Sequence, residues 1–149
     1  MGGSWADGVI TAAKPRADQE KFIEAFHKGG GAGKPMYLQA LHAYAPDHDT
    51  ALKEAWQEWR TNLFGSGIQA DLKTPQHFEA VGKLVRPEDM SQCARISANM
   101  DDHIRWLKDD IELGFDHIFV HNAATDQEGF IRAFAKEVLP ALKREGATV

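Results

Sequence analysis

The chain has 149 residues, 43% of them hydrophobic and 26% charged, with a formal net charge of −5, which suits a single domain, 1–149, with a buried core. Acids and bases are interspersed, which argues against a nucleic-acid surface, and the lone Cys93 excludes a disulfide framework. No apolar run approaches the ~18 residues of a membrane span, and the start lacks the charged and apolar regions of a signal peptide, so a cytoplasmic protein is expected.

In chain order, ADGVITA (Ala6 to Ala12) reads as a short buried strand. Pro15 and Asp18 lead into a helix whose Phe22, Ile23 and Phe26 recur at helical spacing and which ends near His27. The stretch HKGGGAGKP that follows superficially resembles a phosphate loop. The G-x-x-x-x-G-K-[ST] pattern fails, because Lys28 stands where the first glycine belongs and Pro35 where the hydroxyl belongs. An αβ turn is the better reading, with Gly29 as the left-handed cap and Pro35 barring continuation.

MYLQALHAY then reads as a second strand, apolar on both faces and so expected to be covered on both. Pro46, Asp47 and Asp49 start a helix striped by Leu52, Ala55, Trp56 and Trp59. FGSGIQADLK is expected to be irregular. Thr74-Pro75 opens the next helix as cap and first-turn proline, with Phe78, Val81, Leu84 and Val85 as its apolar face and Pro87 as its stop. CARIS is weakly extended. Asn99 caps a helix carrying Ile104, Leu107 and Ile111, and Gly114 ends it. FDHIFVH is the third strong strand, and Thr125 to Glu128 forms a capping box before a helix with Phe130, Phe134, Val138 and Leu142 on one side. The alternation is that of an α/β chain with parallel strands flanked by helices. Three strong strands leave two open sheet edges.

Three stretches together resemble the luciferase-like flavin-dependent oxidoreductases: WADGVITA, GKPMYLQALHAYAPDHDTALKEAWQEWRTN and GFDHIFVHNAATDQEGFIRAFAKEVLPAL. TPQHFE and VRPEDM fit the branch of the deazaflavin-dependent glucose-6-phosphate dehydrogenases and their FMN-using relatives. The resemblance implies a partial (β/α)8 TIM barrel made of its last three βα units. It places the three strong strands as about the sixth, seventh and eighth, and Met1 within the helix before the sixth. Since such barrels run to ~250 residues, it implies a truncated or split enzyme that is inactive alone. The implied activity is hydride transfer between a flavin or deazaflavin and a small organic substrate.

In such barrels the site lies at the C-terminal ends of the strands. Here these ends supply Thr11 and Lys14, His42 and Tyr44, and His121 and Asn122 as candidate cofactor- or substrate-binding residues, with no catalytic residue assigned. Lys14 would bind an anionic group or stand as a solvated loop lysine. His42 and His121 would donate hydrogen bonds to a ring or substrate, shuttle a proton, or be satisfied polar residues at strand ends. Asn122 would bind or cap the loop. His117 and His121 do not form a metal pair, because four strand residues separate them by ~13 Å at ~3.3 Å per residue. Cys93 reads as an inert buried thiol, and Trp56, Trp59 and Trp106 read as packing.

The sugar-phosphate branch would carry a lysine near Ala80, whereas the nearest here is Lys83, which counts against glucose 6-phosphate. WADG and WRTN look more like the FMN-using relatives, so the resemblance leans to FMN over the deazaflavin F420, with neither necessarily binding the isolated chain. Two rivals stand beside this reading. One is a non-catalytic partial barrel that self-associates or complements a separate N-terminal half. The other is a complete small doubly wound domain, which requires a strand order other than that of barrel closure.

Overall fold

A computed structural model describes residues 2–143, so the placement expected for Met1 lies outside the described residues. Four parallel strands form one sheet: β1 (Val9–Ala12), β2 (Met36–Ala43), β3 (Arg95–Ile96) and β4 (His117–Asn122). β2 is central. β1 pairs with it from Val9 opposite Met36 to Ala12 opposite Gln39, and β4 from Tyr37 opposite His117 to His42 opposite Asn122. The two-residue β3 joins β2 at His42 and Ala43. Because β4 already occupies one side of His42, β3 lies on the β1 side, beyond the end of β1. The long strands therefore lie side by side in chain order with helical crossovers between them. That is the winding of a barrel wedge, not the reversed order of a doubly wound sheet.

The helices are α1 (Arg16–Phe26), α2 (His48–Trp59), α3 (Ser66–Asp71), α4 (Pro75–Gly82), α5 (Met100–Glu112), α6 (Gln127–Ala133) and α7 (Leu139–Lys143). Most start where the side chains dictate. The Asp47 carboxylate accepts the Thr50 N–H at 2.8 Å, Thr74 accepts from the His77 N–H with Pro75 in the first turn, and Asn99 accepts from the Asp101 N–H. α6 and α7 are joined through a wide π turn, Phe134–Val138, which keeps Phe130, Phe134, Val138 and Leu142 buried in one row. Pro140 lies just beyond that turn and cannot donate to the carbonyl four residues back, which relaxes the helix there.

Several local expectations change. β1 is shorter than Ala6 to Ala12. α1 continues into a π turn, His27–Gly31, and the left-handed residue is Gly30 at φ +94°, not Gly29. A Cβ on Gly31 would meet the Phe26 ring at 2.5 Å, so the glycine run lets the chain turn tightly under that ring. The Lys34 ammonium donates to the carbonyls of Gly3 and Ala6 at 2.7 and 2.8 Å and ties the start of the chain to this turn. The stretch expected to be irregular contains α3. Leu84 lies past the end of α4 and is 78% exposed. The cap of α6 is Asp126, which accepts from the Gly129 N–H, while the Thr125 N–H donates to Glu54 instead.

The core lies against one face of the sheet. Met36 and Leu38 pack with Ile23, Phe26 and Phe115; Ile118 and Val120 lie under Leu107, Phe134, Val138 and Leu142. A third cluster, Ala43, Ala55, Val85, Met90 and Ala123, closes the C-terminal end of the strands beneath α2. The other face is open. Ile10 and Phe119 are each 55% exposed on it, which corrects the expectation that β2 is covered on both sides. The apolar reading of β2 overlooked that Gln39 breaks the run on that face.

Candidate functional site

Side chains alternate along a strand, and partners in parallel register share a face. The open face therefore carries three rows. Ile10, Tyr37 and His117 form the lowest, Ala12, Gln39 and Phe119 the middle, and Leu41 and His121 the uppermost, at the C-terminal end. The lowest row is aromatic, with the Tyr37 and His117 rings stacked at 5.2 Å and 8°. Above the uppermost row the end of α2 turns inward. Trp59 meets the His121 ring edge-on at 4.6 Å, and the 3-10 turn Arg60–Leu63 brings Asn62 to the same side. These residues enclose a chamber of about 510 Å³ with Ala12, Gln39, Leu41, Phe119 and Cys93 in its walls. A smaller recess of about 220 Å³ adjoins it across Ala13, Leu41 and Cys93, bounded by Lys14, Ser91, Gln92 and Arg95.

The six expected site residues divide between the two faces. His121 lies in the chamber wall, and Lys14 lies at the recess with its ammonium 4.9 Å from the centre of the Phe22 ring. Thr11 points to the helix side, opposite Leu38, and its hydroxyl donates to the Ala12 carbonyl. Asn122 is buried and serves its own loop, accepting from the N–H groups of Tyr44 and Ala124. Tyr44 packs edge-on against His103. His42 has no exposed surface. It lies under α5, with its Nδ1 2.8 Å from Nδ1 of His103 and with the Trp106 and Phe134 rings edge-on to it. The physical reason is its register: His42 shares the face of Leu38 and Ala40, not that of Leu41.

The protonation of this buried pair follows from its partners. The Ser97 carbonyl only accepts, so Nε2 of His103, 3.0 Å away, carries hydrogen. In the neutral ring Nδ1 of His103 is then the acceptor, Nδ1 of His42 the donor, and Nε2 of His42 a buried lone pair without a partner among the described residues. Burial pushes the His42 pKa well below the usual imidazole value, helped by His103 and the Arg95 guanidinium. Burial also lowers His103, against the opposing pull of the Ser97 carbonyl and Asp102. Arg95 meets the buried Asp110 through two bonds of 2.5 and 2.8 Å, which ties β3 to α5. Burial pushes the Cys93 thiol up, away from a reactive thiolate.

Gln39, Trp59 and Asn62 were not singled out as site residues. Their signal was present: Gln39 is the polar residue between Tyr37 and Leu41 on one face of β2, and Trp59 and Asn62 are three apart in WRTN. The fold they require is a βα unit whose helix end overhangs the strand, and residue spacing alone does not reveal that. Among the described residues no group of three His, Cys, Asp or Glu side chains is placed to hold a metal ion.

An open parallel sheet, wound in chain order with a chamber at its C-terminal ends, is the geometry of one side of a luciferase-like (β/α)8 barrel. The solved structures agree. The chain superposes on an F420-dependent secondary alcohol dehydrogenase, solved with an F420-acetone adduct, at a TM-score of 0.80 and 21% identity, covering 94% of this chain and 44% of that one. It superposes on the coenzyme F420 dependent tetrahydromethanopterin reductase of Methanopyrus kandleri at 0.65 and 21%, covering 93% and 46%. In sequence the chain is similar to the C-terminal part of proteins named F420-dependent glucose-6-phosphate dehydrogenase. The one from Microbacterium testaceum is 26% identical over 99% of this chain and 46% of its own length. The one from Beutenbergia cavernae is 29% identical over 96% and 45%. The chain thus spans slightly under half the length of these curated relatives. No family model matches it.

For a flat anionic cofactor, Phe119 and Leu41 would offer an apolar surface and Lys14, at the adjoining recess, a cation.

Proposed function

We propose that this chain forms the C-terminal wall of an F420-dependent oxidoreductase acting on a small organic substrate, and that it is inactive alone. The observation that carries this reading is the asymmetry of the sheet. Two apolar clusters seal one face beneath the helices, a third closes the C-terminal end of the strands, and the open face presents a chamber at the strand ends where barrel enzymes place their sites. When bound, F420 supplies hydride transfer. Leu41 and Phe119 would hold its ring, Lys14 its acidic tail, and His121, fixed by Trp59, would donate a hydrogen bond at the strand ends. The names of the curated relatives favour F420 over the FMN suggested by WADG and WRTN.

The partner in this reading is polypeptide carrying the remaining five of eight βα units, supplied by the same protein or by another. The edges of β1 and β4, unpaired among the described residues, and the exposed Ile10 and Phe119 support it. The test mixes the chain with the N-terminal part of the Microbacterium relative and follows F420 fluorescence. Saturable quenching by the mixture, with none by the chain alone, is the expected result; a mixture that never binds F420 refutes the proposal. A second reading, a self-associating module without catalysis, draws on the same open face. A monodisperse homo-oligomer in sedimentation that ignores both F420 and the added half would favour it.

A further inference from the structure

Resting on the barrel-wall reading, we infer that the free edge of β4 is the anchoring surface for the remaining βα units, and that its occupant is one parallel strand seated beneath α7. A groove of about 400 Å³ runs along this edge. Residues 115–120 line it without a gap. A strand shows successive residues to one side only along an edge, because its two faces take alternate side chains. Ile111 of α5, with Phe134, Leu139 and Leu142 from the segment after β4, forms an apolar roof, and Leu139 is 36% exposed. An edge that faces water usually carries Lys or Pro, whereas FDHIFVHN has neither. The β1 edge is only four residues long, and Ile23 and Phe26 of α1 pack inward on Met36 and Leu38 of β2.

Hydrogen-bond parity identifies the groups that strand would meet. The Val9 and Ala13 N–H groups donate to the carbonyls of Pro35 and Gln39, so odd-numbered residues of β2 face β1. Even-numbered ones face β4, in agreement with the Ala123 N–H donating to the His42 carbonyl. With Leu38 opposite Ile118, the N–H groups of Phe119 and His121 turn to β2, and those of Ile118 and Val120 turn to the free edge. At the top of that edge the Asn122 carbonyl already accepts from the Gln127 carboxamide at 3.2 Å, so the open stretch is the one beside the groove. Only another strand satisfies a row of alternating backbone donors and acceptors, and every ladder of this sheet is parallel. A second copy does not suit the place. Its β1 edge would add long strands in threes, which cannot sum to eight. Its β4 edge would pair antiparallel about a two-fold axis, with both copies' α6 and α7 over one seam.

The test follows amide hydrogen exchange in the 149-residue chain labelled with 15N, alone and with the N-terminal part of the Microbacterium relative. Alone, the Ile118 and Val120 amides should exchange fast while that of Phe119 is protected. In the mixture the first two should slow by about tenfold or more. Leu139→Asp should weaken the complex by about tenfold or more, with Phe119 still protected as proof of an intact sheet. Slow exchange at Ile118 and Val120 in the chain alone overturns the inference. A dependence on chain concentration would then identify a second copy as the occupant, and its absence would show that the chain covers its own edge. A complex that leaves both amides exchanging fast, or that ignores Leu139→Asp, also overturns it. F420 fluorescence is read separately on the same mixture. Edge protection without F420 binding supports this surface and retires the coenzyme reading; F420 binding with both amides still fast retires this inference alone.

Discussion

Lowering the pH from 7.5 to 5.5 should cost this chain stability through two rings. His42 and His103 have no exposed surface, and burial depresses the pKa of each. Above the ordinary imidazole pKa of about 6.5 neither the folded nor the unfolded chain is charged at these positions, and the rings cost nothing. Below it the unfolded chain takes up protons that the folded chain refuses, so stability falls as pH drops from about 6.5 towards the depressed folded values. Each ring that stays neutral costs about 1.4 kcal/mol at pH 5.5, or about 2.8 kcal/mol for both. His42 should contribute its full share, because its Nε2 is buried with no acceptor among the described residues, and burial, with His103 and Arg95, opposes its cation. His103 should contribute less, because Asp102 and the Ser97 carbonyl favour its cation. Urea unfolding followed by circular dichroism would read the loss as a midpoint lower by about 1 M. The double variant His42→Phe/His103→Phe should lose the part of the pH dependence that these two rings carry. An unchanged midpoint between pH 7.5 and 5.5, or an equal drop in the double variant, would refute the reasoning.

Removing one side of the Arg95–Asp110 pair leaves the guanidinium largely enclosed without its partner, so Asp110→Ala should destabilise by about 3–5 kcal/mol. A loss under about 1 kcal/mol in urea unfolding would show that the pair is dispensable. At the start of α6 the cap assignment separates two neighbours. Asp126→Ala should cost about 1 kcal/mol, whereas Thr125→Ala, an exposed change whose N–H bond to Glu54 survives, should fall within about 0.5 kcal/mol of the parent. The reverse order would restore the capping box expected from the sequence.

The elements legible in advance were those whose signals are local. Asp47, Thr74 and Asn99 carry their caps in their side chains, and Gly114 at φ +89° ends α5 because few other residues enter that conformation cheaply. What failed was longer in range. The choice of Gly30 over Gly29 depends on a π turn and on Phe26 lying over Gly31. The cap of α6 moved from Thr125 to Asp126 because the Thr125 N–H found Glu54, 71 residues away in sequence.

The candidate site shows the same division more sharply, because a single step along β2 decides it. A strand end was a sound place to look, and both Leu41 and His42 lie there. Yet the pleat sends Leu41 to the chamber and His42 beneath α5, 2.8 Å from His103. Residue type favours the histidine as the chemical group. The register favours its neighbours, and the register is readable once Met36, Leu38 and Ala40 are recognised as the sealed face. By that parity Gln39, Phe119 and His121 belong to the chamber, and Thr11, His42 and Asn122 to the scaffold. On the sealed face Asn122, Ser97 and His103 hold α5 and the loop after β4, while Nε2 of His42 is left unbonded among the described residues. The open face leaves Gln39 and Asn62 unspent, and it is there that a ligand would find free hydrogen-bonding groups.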